Sequence, residues 1–289
     1  MISTIGATVR NQARRFVQFR NYAWDARALS YKNNDAAAVL VSMNENSVNS
    51  ISPQYFQNFH QTLDQIESEK DYKHLPLFLE SSNEKTFSAG LNLQFITTEL
   101  TDEAKVREFA NDLNEMFRRL FLLDRPTVAL LNGNAIAGGW ITALCCDFRL
   151  AVHREDKKQP IYSLREMYLG LPLPGVVTGI VSSQIPTNAL YQSVLTGQTL
   201  TPKEAYDAGI ITKLVENKES LQSAAFSLIN DRIDMNISGE AYAVMKRALK
   251  QHHVNKSNES TALDDAFVTM LNSDKVKDKI KQVLQSTKK

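Results

Sequence analysis

Three segments of this sequence carry residue types that could stabilise and move charge on a carbonyl compound. In FSAGLNL (Phe87 to Leu93) the small residues Ser88, Ala89 and Gly90 follow a strand-like run and precede Leu91, Asn92 and Leu93. Small side chains let a ligand approach the main chain, and a chain turning there into a helix leaves amide donors pointing outward. GNAIAGGWITALCCDFRL (Gly133 to Leu150) repeats the device: Gly138 and Gly139 follow a strand and lead into an apolar helix from about Trp140. A helix N-terminus adds partial positive charge to free amides, which suits an oxyanion as it develops. In YSLREMYLGLPLPG (Tyr162 to Gly175), Arg165 and Glu166 stand among Leu164, Met167, Leu169 and Leu171. An apolar setting raises a carboxyl pKa and makes Glu166 a stronger base. Taken singly, the segments have plain structural readings: a turn, a tightly packed helix start and a surface glutamate. Recurrence of the loop after two strands favours a site.

The elements that must position these segments follow from periodicity. Ala36 to Met43 (AAAVLVSM), Leu75 to Ser82 (LPLFLESS) and Pro126 to Gly133 (PTVALLNG) are short apolar runs ending in polar or glycine turns, and predict buried strands. Tyr55, Phe56, Phe59, Leu63 and Ile66 have helical spacing over Pro53 to Ile66; Val106, Phe109, Leu113, Met116, Phe117 and Leu120 have it over Glu103 to Leu122. Strand, loop and helix alternate, as in an α/β domain whose strand-end loops build the site. Beyond about Ser220 the pattern turns almost wholly helical. It predicts a core over 31–220 and a C-terminal helical region over 221–289, set apart from the sheet.

Composition narrows the function. With 33 basic and 32 acidic residues the net charge is +1, so no global field recruits nucleic acid or an anionic membrane. The apolar run Ala135 to Cys146 is ended by Asp147 and Arg149, well short of the roughly 20 residues of a membrane span. Cys145 and Cys146 are adjacent and have no distant partner, which excludes a disulfide framework; they suit inert buried positions. His60, His74, His153, His252 and His253 show no ligand spacing, so no metal is expected, and no GxSxG, P-loop or GxGxxG fingerprint occurs. Residues 1–24 contain Arg10, Arg14, Arg15 and Arg20 and no acid before Asp25. With Val9, Phe16, Val17 and Phe19 able to line one helix side, residues 1–30 have the composition of a mitochondrial transit peptide, which points to the matrix.

The ordered series FSAGLNL, AIAGG…CCDFRLA, LREMYLGLPLPG and LTGQTLTPKEAYDAGIITKLV (Leu195 to Val215) resembles the crotonase, or enoyl-CoA hydratase/isomerase, superfamily. The FSAGL form, with Leu91 after the glycine, is most similar to the Δ3,Δ2-enoyl-CoA isomerase branch. The resemblance implies an α/β spiral of ββα units, C-terminal helices that pack into a homotrimer, and an acyl-CoA thioester as substrate, with coenzyme A part of the substrate and no separate cofactor. It places the two oxyanion-binding amides on Leu91 and Gly139, with Ser88, Ala89, Gly90, Asn92, Leu93, Gly138 and Arg165 around the substrate. Glu166 matches the catalytic carboxylate.

Where hydratases carry a further glutamate, this chain has Thr142. Hydration needs a water held between an acid and a base, whereas one carboxylate suffices to take a proton from C2 and return it at C4. The implied reaction is therefore transfer of a 3-enoyl-CoA double bond to the trans-2 position, in oxidation of unsaturated fatty acids. Asn92 and Gln94 replace the Asp and Lys common in the family, which leaves Lys275, Lys279 or Lys281 as candidates for the CoA phosphates. Rival readings are thioester hydrolysis, weak hydration, or a CoA- or RNA-binding relative without turnover.

Overall fold

The computed structural model describes residues 24–31, 34–155 and 158–286. Most of the segment 1–30 expected to be a transit peptide lies outside them. In chain order the elements are β1 (Asp25–Tyr31), β2 (Asn34–Met43), α1 (Pro53–Ser68), β3 (Leu77–Ser81), β4 (Thr86–Ser88), α2 (Leu93–Thr98), α3 (Glu103–Phe121), β5 (Thr127–Leu131), β6 (Asn134–Ile136), α4 (Gly138–Cys145) and β7 (Phe148–Val152). They continue with β8 (Tyr162–Ser163), α5 (Glu166–Leu169), α6 (Gly175–Gln184), α7 (Thr187–Leu195), α8 (Pro202–Asp207), β9 (Lys213–Val215), α9 (Glu219–Ile229), α10 (Met235–Lys250), α11 (Asn258–Asn272) and α12 (Asp274–Ser286).

Two sheets run side by side. The larger has the order β1-β2-β3-β5-β7-β9 and the smaller β4-β6-β8. Apart from the antiparallel β1–β2 pair, every ladder is parallel. The chain visits the large sheet, then the small one, then a helix, and each circuit advances one strand in both. That is the spiral of ββα turns the motifs imply.

The large sheet is apolar on both faces because both are covered, as parallel sheets require. Side chains alternate along each strand. Val39, Val41, Met43, Leu79, Ala129 and Leu131 face the helices α1, α3 and α4, whereas Leu40, Phe78, Val128, Leu130, Leu150 and Val152 face the opposite way. Local signals set the covering helices. Ser52 caps α1 with Pro53 in its first turn, and Asp102 caps α3 by accepting from Lys105 N.

The second face corrects one expectation. The helical region after residue 220 is not set apart from the sheet: Leu221, Ala225, Phe226 and Ile229 of α9 pack onto it, with the Phe226 ring edge-on to Phe78 at 5.1 Å. Helical periodicity identifies an apolar stripe but not the surface it seeks, and without α9 this sheet face would be wet. The N-terminal edge holds a second difference. Trp24 is buried and its ring meets Tyr55 at 4.7 Å and Phe59 at 6.0 Å, so the folded core includes residues ahead of 31.

Helix α10 is anchored to the sheet by charge. The Asp147 carboxylate, just before β7, accepts from Lys250 Nζ at 2.6 Å, Lys246 Nζ at 2.9 Å, Tyr242 Oη at 3.1 Å and Thr127 N at 2.9 Å. Burial opposes its ionisation, but the two lysines outweigh that and hold its pKa below the usual range. Asp147→Ala leaves both ammonium groups enclosed without a counter-charge. It should lower the unfolding free energy by about 3–5 kcal/mol, read as a fall in the urea midpoint at unchanged m. A loss under about 1 kcal/mol would mean the cluster does not anchor the helix.

Candidate active site

The three chemistry-bearing segments leave the same end of the small sheet. Its strands pair in parallel through Thr86↔Asn134, Ser88↔Ala135, Ala135↔Tyr162 and Ile136↔Ser163. Leu91, Gly139 and Glu166 each follow the last residue of their strand by three positions. Neighbouring strands stand about 4.8 Å apart, so three segments remote in sequence leave the sheet side by side.

The first two loops touch main chain to main chain. Gly90 has φ +81°, and a Cβ there would lie 2.7 Å from Ile136 O and 2.9 Å from Gly138 N. A Cβ on Gly139 would collide with the Ser88 carbonyl. Leu91 forms a parallel bridge with Ile51, in which Ile51 N donates to Gly90 O and Asn92 N donates to Ile51 O, both at 2.8 Å. The flanking peptides make those bonds, so the N–H of Leu91 itself points the opposite way. Gly139 is the second residue of α4, where no preceding helical carbonyl can accept its N–H. Ala137, the N-cap of α4, adopts φ +50° and ψ −124°, held by its N–H to Ser163 O at 2.7 Å and by Ile141 N to its carbonyl at 3.0 Å. Strain of this kind in a non-glycine residue persists only where surroundings enforce it.

Beneath the first loop lies a residue that sequence reasoning passed over. Asn49 is fully buried with φ +47°, and its Nδ2 faces Ser81 Oγ at 2.8 Å, Phe87 O at 3.2 Å and Met43 O at 3.3 Å. Its carbonyl accepts from Ser88 Oγ at 2.7 Å, and that hydroxyl accepts from Gly90 N at 3.2 Å. In NENSVNSIS an asparagine signals only a turn; its left-handed conformation and its distant acceptors are visible solely in three dimensions.

Glu166 opens α5, a single turn closed by Gly170 at φ +75°. The residue is partly buried, but its Oε2 is enclosed and has no hydrogen-bond partner among the described residues. Burial pushes its pKa up to about 7, against weaker opposing pulls from the backbone N–H groups of Glu166 and Arg165. The carboxyl borders a cavity of about 310 Å³ whose wall includes Leu164, Leu171, Leu173, Val181, Leu190 and Leu263. Among the described residues no other carboxylate lines that cavity. Thr142 is buried and gives its hydroxyl to Gly138 O at 2.8 Å, so no second acid or base stands on α4.

The remaining candidates separate by position. Ser88, Ala89, Gly90, Leu91, Gly138 and Gly139 form the joined loops, but the Ser88 hydroxyl is buried and committed to them. Asn92 Oδ1 caps α2 by accepting from Phe95 N, and Leu93 is the first residue of that helix. Arg165 turns to Thr199 Oγ1 at 3.0 Å and lies 5.4 Å over the Tyr168 ring, with its Nε enclosed and unpartnered among the described residues. Lys275 and Lys279 line a separate groove between α5 and α12, whereas Lys281 pairs with Asp278 at 3.0 Å. Among the described residues no cluster of His, Cys, Asp or Glu could hold a metal, and no helix is long and apolar enough to cross a membrane.

A spiral with two loop amides and one enclosed carboxylate defines a class, and comparison with known proteins supplies its name. The family model for enoyl-CoA hydratase/isomerase matches residues 33–288, and the chain belongs to that family of enzymes. The chain is 25% identical over 257 residues to human mitochondrial enoyl-CoA delta isomerase 1, covering 88% of this chain and 81% of that protein. It is 32% identical over 158 residues to a short-chain-enoyl-CoA hydratase of Clostridium acetobutylicum, covering 55% of this chain and 58% of the hydratase. The crystal structure of human mitochondrial delta3-delta2-enoyl-CoA isomerase superposes with a TM-score of 0.78 at 24% identity, over 90% of this chain and 98% of that one.

The raised Glu166 pKa has a consequence for stability. Folding lifts the carboxyl from 4.5 to about 7, so between those values the folded protein keeps a proton that the unfolded chain releases. The wild type therefore loses stability through this group as pH rises across that window, and Glu166→Gln does not. The excess unfolding free energy of the variant should be near zero at pH 4, grow towards pH 7 and level off above it. Parallel stability curves from pH 4 to 8 would place the carboxyl in water.

Proposed function

We propose that this chain is an enoyl-CoA isomerase that moves the double bond of a 3-enoyl-CoA to the trans-2 position. Glu166 takes a proton from C2, and the electron pair spreads through C3=C4 and the thioester as a dienolate. Glu166 then returns the proton to C4, which leaves C2=C3. The N–H groups of Leu91 and Gly139 receive the negative oxygen, each donor worth a few kcal/mol in the transition state. The acyl tail occupies the apolar cavity beside Glu166. No cofactor is needed beyond the CoA that the substrate carries.

One observation carries this reading: among the described residues a single carboxylate, that of Glu166, borders the cavity, and at the position where the family resemblance puts the hydratases' second glutamate this chain has Thr142. The hydratase named among the relatives favours hydration as the second reading, with thioester hydrolysis behind it. A CoA- or RNA-binding protein without turnover accords poorly with a carboxylate whose enclosed Oε2 has no partner among the described residues.

Glu166→Gln keeps shape and an acceptor but cannot accept a proton at neutral pH. Turnover of 3-enoyl-CoA should fall by about 10,000-fold or more, because general base catalysis supplies about 100- to 10,000-fold and the same group also returns the proton. Affinity for a saturated acyl-CoA should hardly change, and wild-type kcat/KM should rise with pH through an apparent pKa near 7. Purified wild type that hydrates 2-enoyl-CoA or hydrolyses acyl-CoA faster than it isomerises 3-enoyl-CoA would contradict the assignment.

The same reading places the enzyme in the mitochondrial matrix as a homotrimer, serving oxidation of unsaturated fatty acids. Residues 1–23 supply the leader, and a cut ahead of Trp24 keeps that side chain on Tyr55 and Phe59. Self-association is supported by α10, which exposes Ile237, Val244, Met245 and Leu249. Native mass measurement on protein isolated from mitochondria should find three chains, each starting at or shortly before Trp24. A monomer, or a chain still bearing Met1, would overturn the corresponding part.

A further inference from the structure

We infer that Asn49 is a positioning residue for the oxyanion hole: its side-chain amide fixes its own main chain and Phe87 of β4, and the Asn49 main-chain carbonyl holds the Ser88 hydroxyl that sets the peptide presenting the Leu91 N–H. The inference rests on the assignment of the oxyanion site to Leu91 and Gly139.

Asn49 sits where three strand ends converge. Its Nδ2 donates to Ser81 Oγ at the end of β3, to Phe87 O within β4 and to Met43 O at the end of β2. Its Oδ1 accepts from Glu45 N at 2.9 Å, which fixes the orientation of the amide, since an N–H facing Nδ2 would have no acceptor. The Ser81 hydroxyl already donates to Thr86 O at 2.6 Å, so it can only accept from Asn49. Every polar atom of the side chain is thus used at a fully buried position, where an unmade hydrogen bond is costly.

The chain of bonds then runs towards the reacting centre. Asn49 O accepts from Ser88 Oγ, and Ser88 Oγ accepts from Gly90 N. This consumes the Gly90 donor and holds the left-handed turn at Gly90. The next amide, Leu91, keeps its N–H free of the Ile51 bridge on the other side. A carbonyl oxygen must meet both oxyanion donors within about 0.5 Å of ideal geometry for their full effect. Asn49 reaches no substrate atom; it fixes the angle of a donor that does.

Two roles are separable, because a residue with φ +47° could be required for backbone shape alone. Asn49→Gly keeps the conformation and removes the donors. Asn49→Asp keeps the size and the acceptor facing Glu45 N, but as a carboxylate cannot donate to Ser81, Phe87 or Met43. Infrared difference spectra of enzyme with a saturated acyl-CoA labelled with ¹³C at the thioester carbonyl read the oxyanion donors directly. Wild type should shift that stretch to lower frequency than in water. Both variants should lose most of the shift, and kcat should fall by about 100-fold, as a donor misplaced by about 1 Å would cause. Acyl-CoA affinity and the pH midpoint of the remaining activity should stay near wild type. Should either variant fail to fold, Ser88→Ala removes only the relay hydroxyl and should show the same losses in lesser degree.

Full carbonyl shift and wild-type kcat in Asn49→Gly would overturn the inference and leave Asn49 as a turn residue. So would a full shift in Ser88→Ala. Absence of any shift in the wild type would instead sink the Leu91 and Gly139 assignment itself.

Discussion

Everything at the candidate site depends on the short parallel ladder β4-β6-β8. Its strands have three, three and two residues, too few to be stable alone, and each follows a strand of the large sheet in the chain. Parallel pairing at about 4.8 Å aligns the three exits, so the segments carrying Leu91, Gly139 and Glu166 leave the same end of the sheet although they are remote in sequence. Glycine is required where the exits meet. The joined main chains at Gly90 and Gly139 leave no room for side chains between the loops.

The ladder sets positions, and burial sets chemistry. An apolar cavity raises the Glu166 pKa to about 7, near the pH at which a base must both accept and release a proton. On the proposed mechanism, a site closed to water would likewise strengthen the attraction between the enolate oxygen and the Gly139 amide. Both effects cost stability, since an enclosed carboxyl and a strained Ala137 are each unfavourable in the folded state. The rest of the molecule offsets that cost through two covered sheet faces and the Asp147 cluster that ties down α10.

Much of this was legible in the residues. Strands β2, β3 and β5 and helices α1 and α3 fall where apolar periodicity places them, because their burial is dense and regular. The small-residue loops before Leu91 and Gly139, and Glu166 in its apolar run, are weak signals singly, and their proposed roles come from the ordered motifs that resemble the family. The strands of the small sheet did not, since two or three residues show no period. Phe148–Val152 of β7 merged with the apolar helix before it. Asn49 stayed hidden because its partners, Met43, Ser81 and Phe87, are joined to it only by folding. The reach of α9 across the sheet and the burial of Trp24 are likewise long-range packing that no local window contains.

The most direct test of the account is a crystal structure with an acyl-CoA thioester that cannot isomerise. The thioester oxygen should lie about 2.7–3.1 Å from both Leu91 N and Gly139 N. The Glu166 carboxylate should lie over C2 and C4 on one face of the acyl chain, with the tail in the cavity beside Leu171 and Val181. A thioester oxygen remote from both amides, or a Glu166 carboxylate turned away from C2, would contradict it.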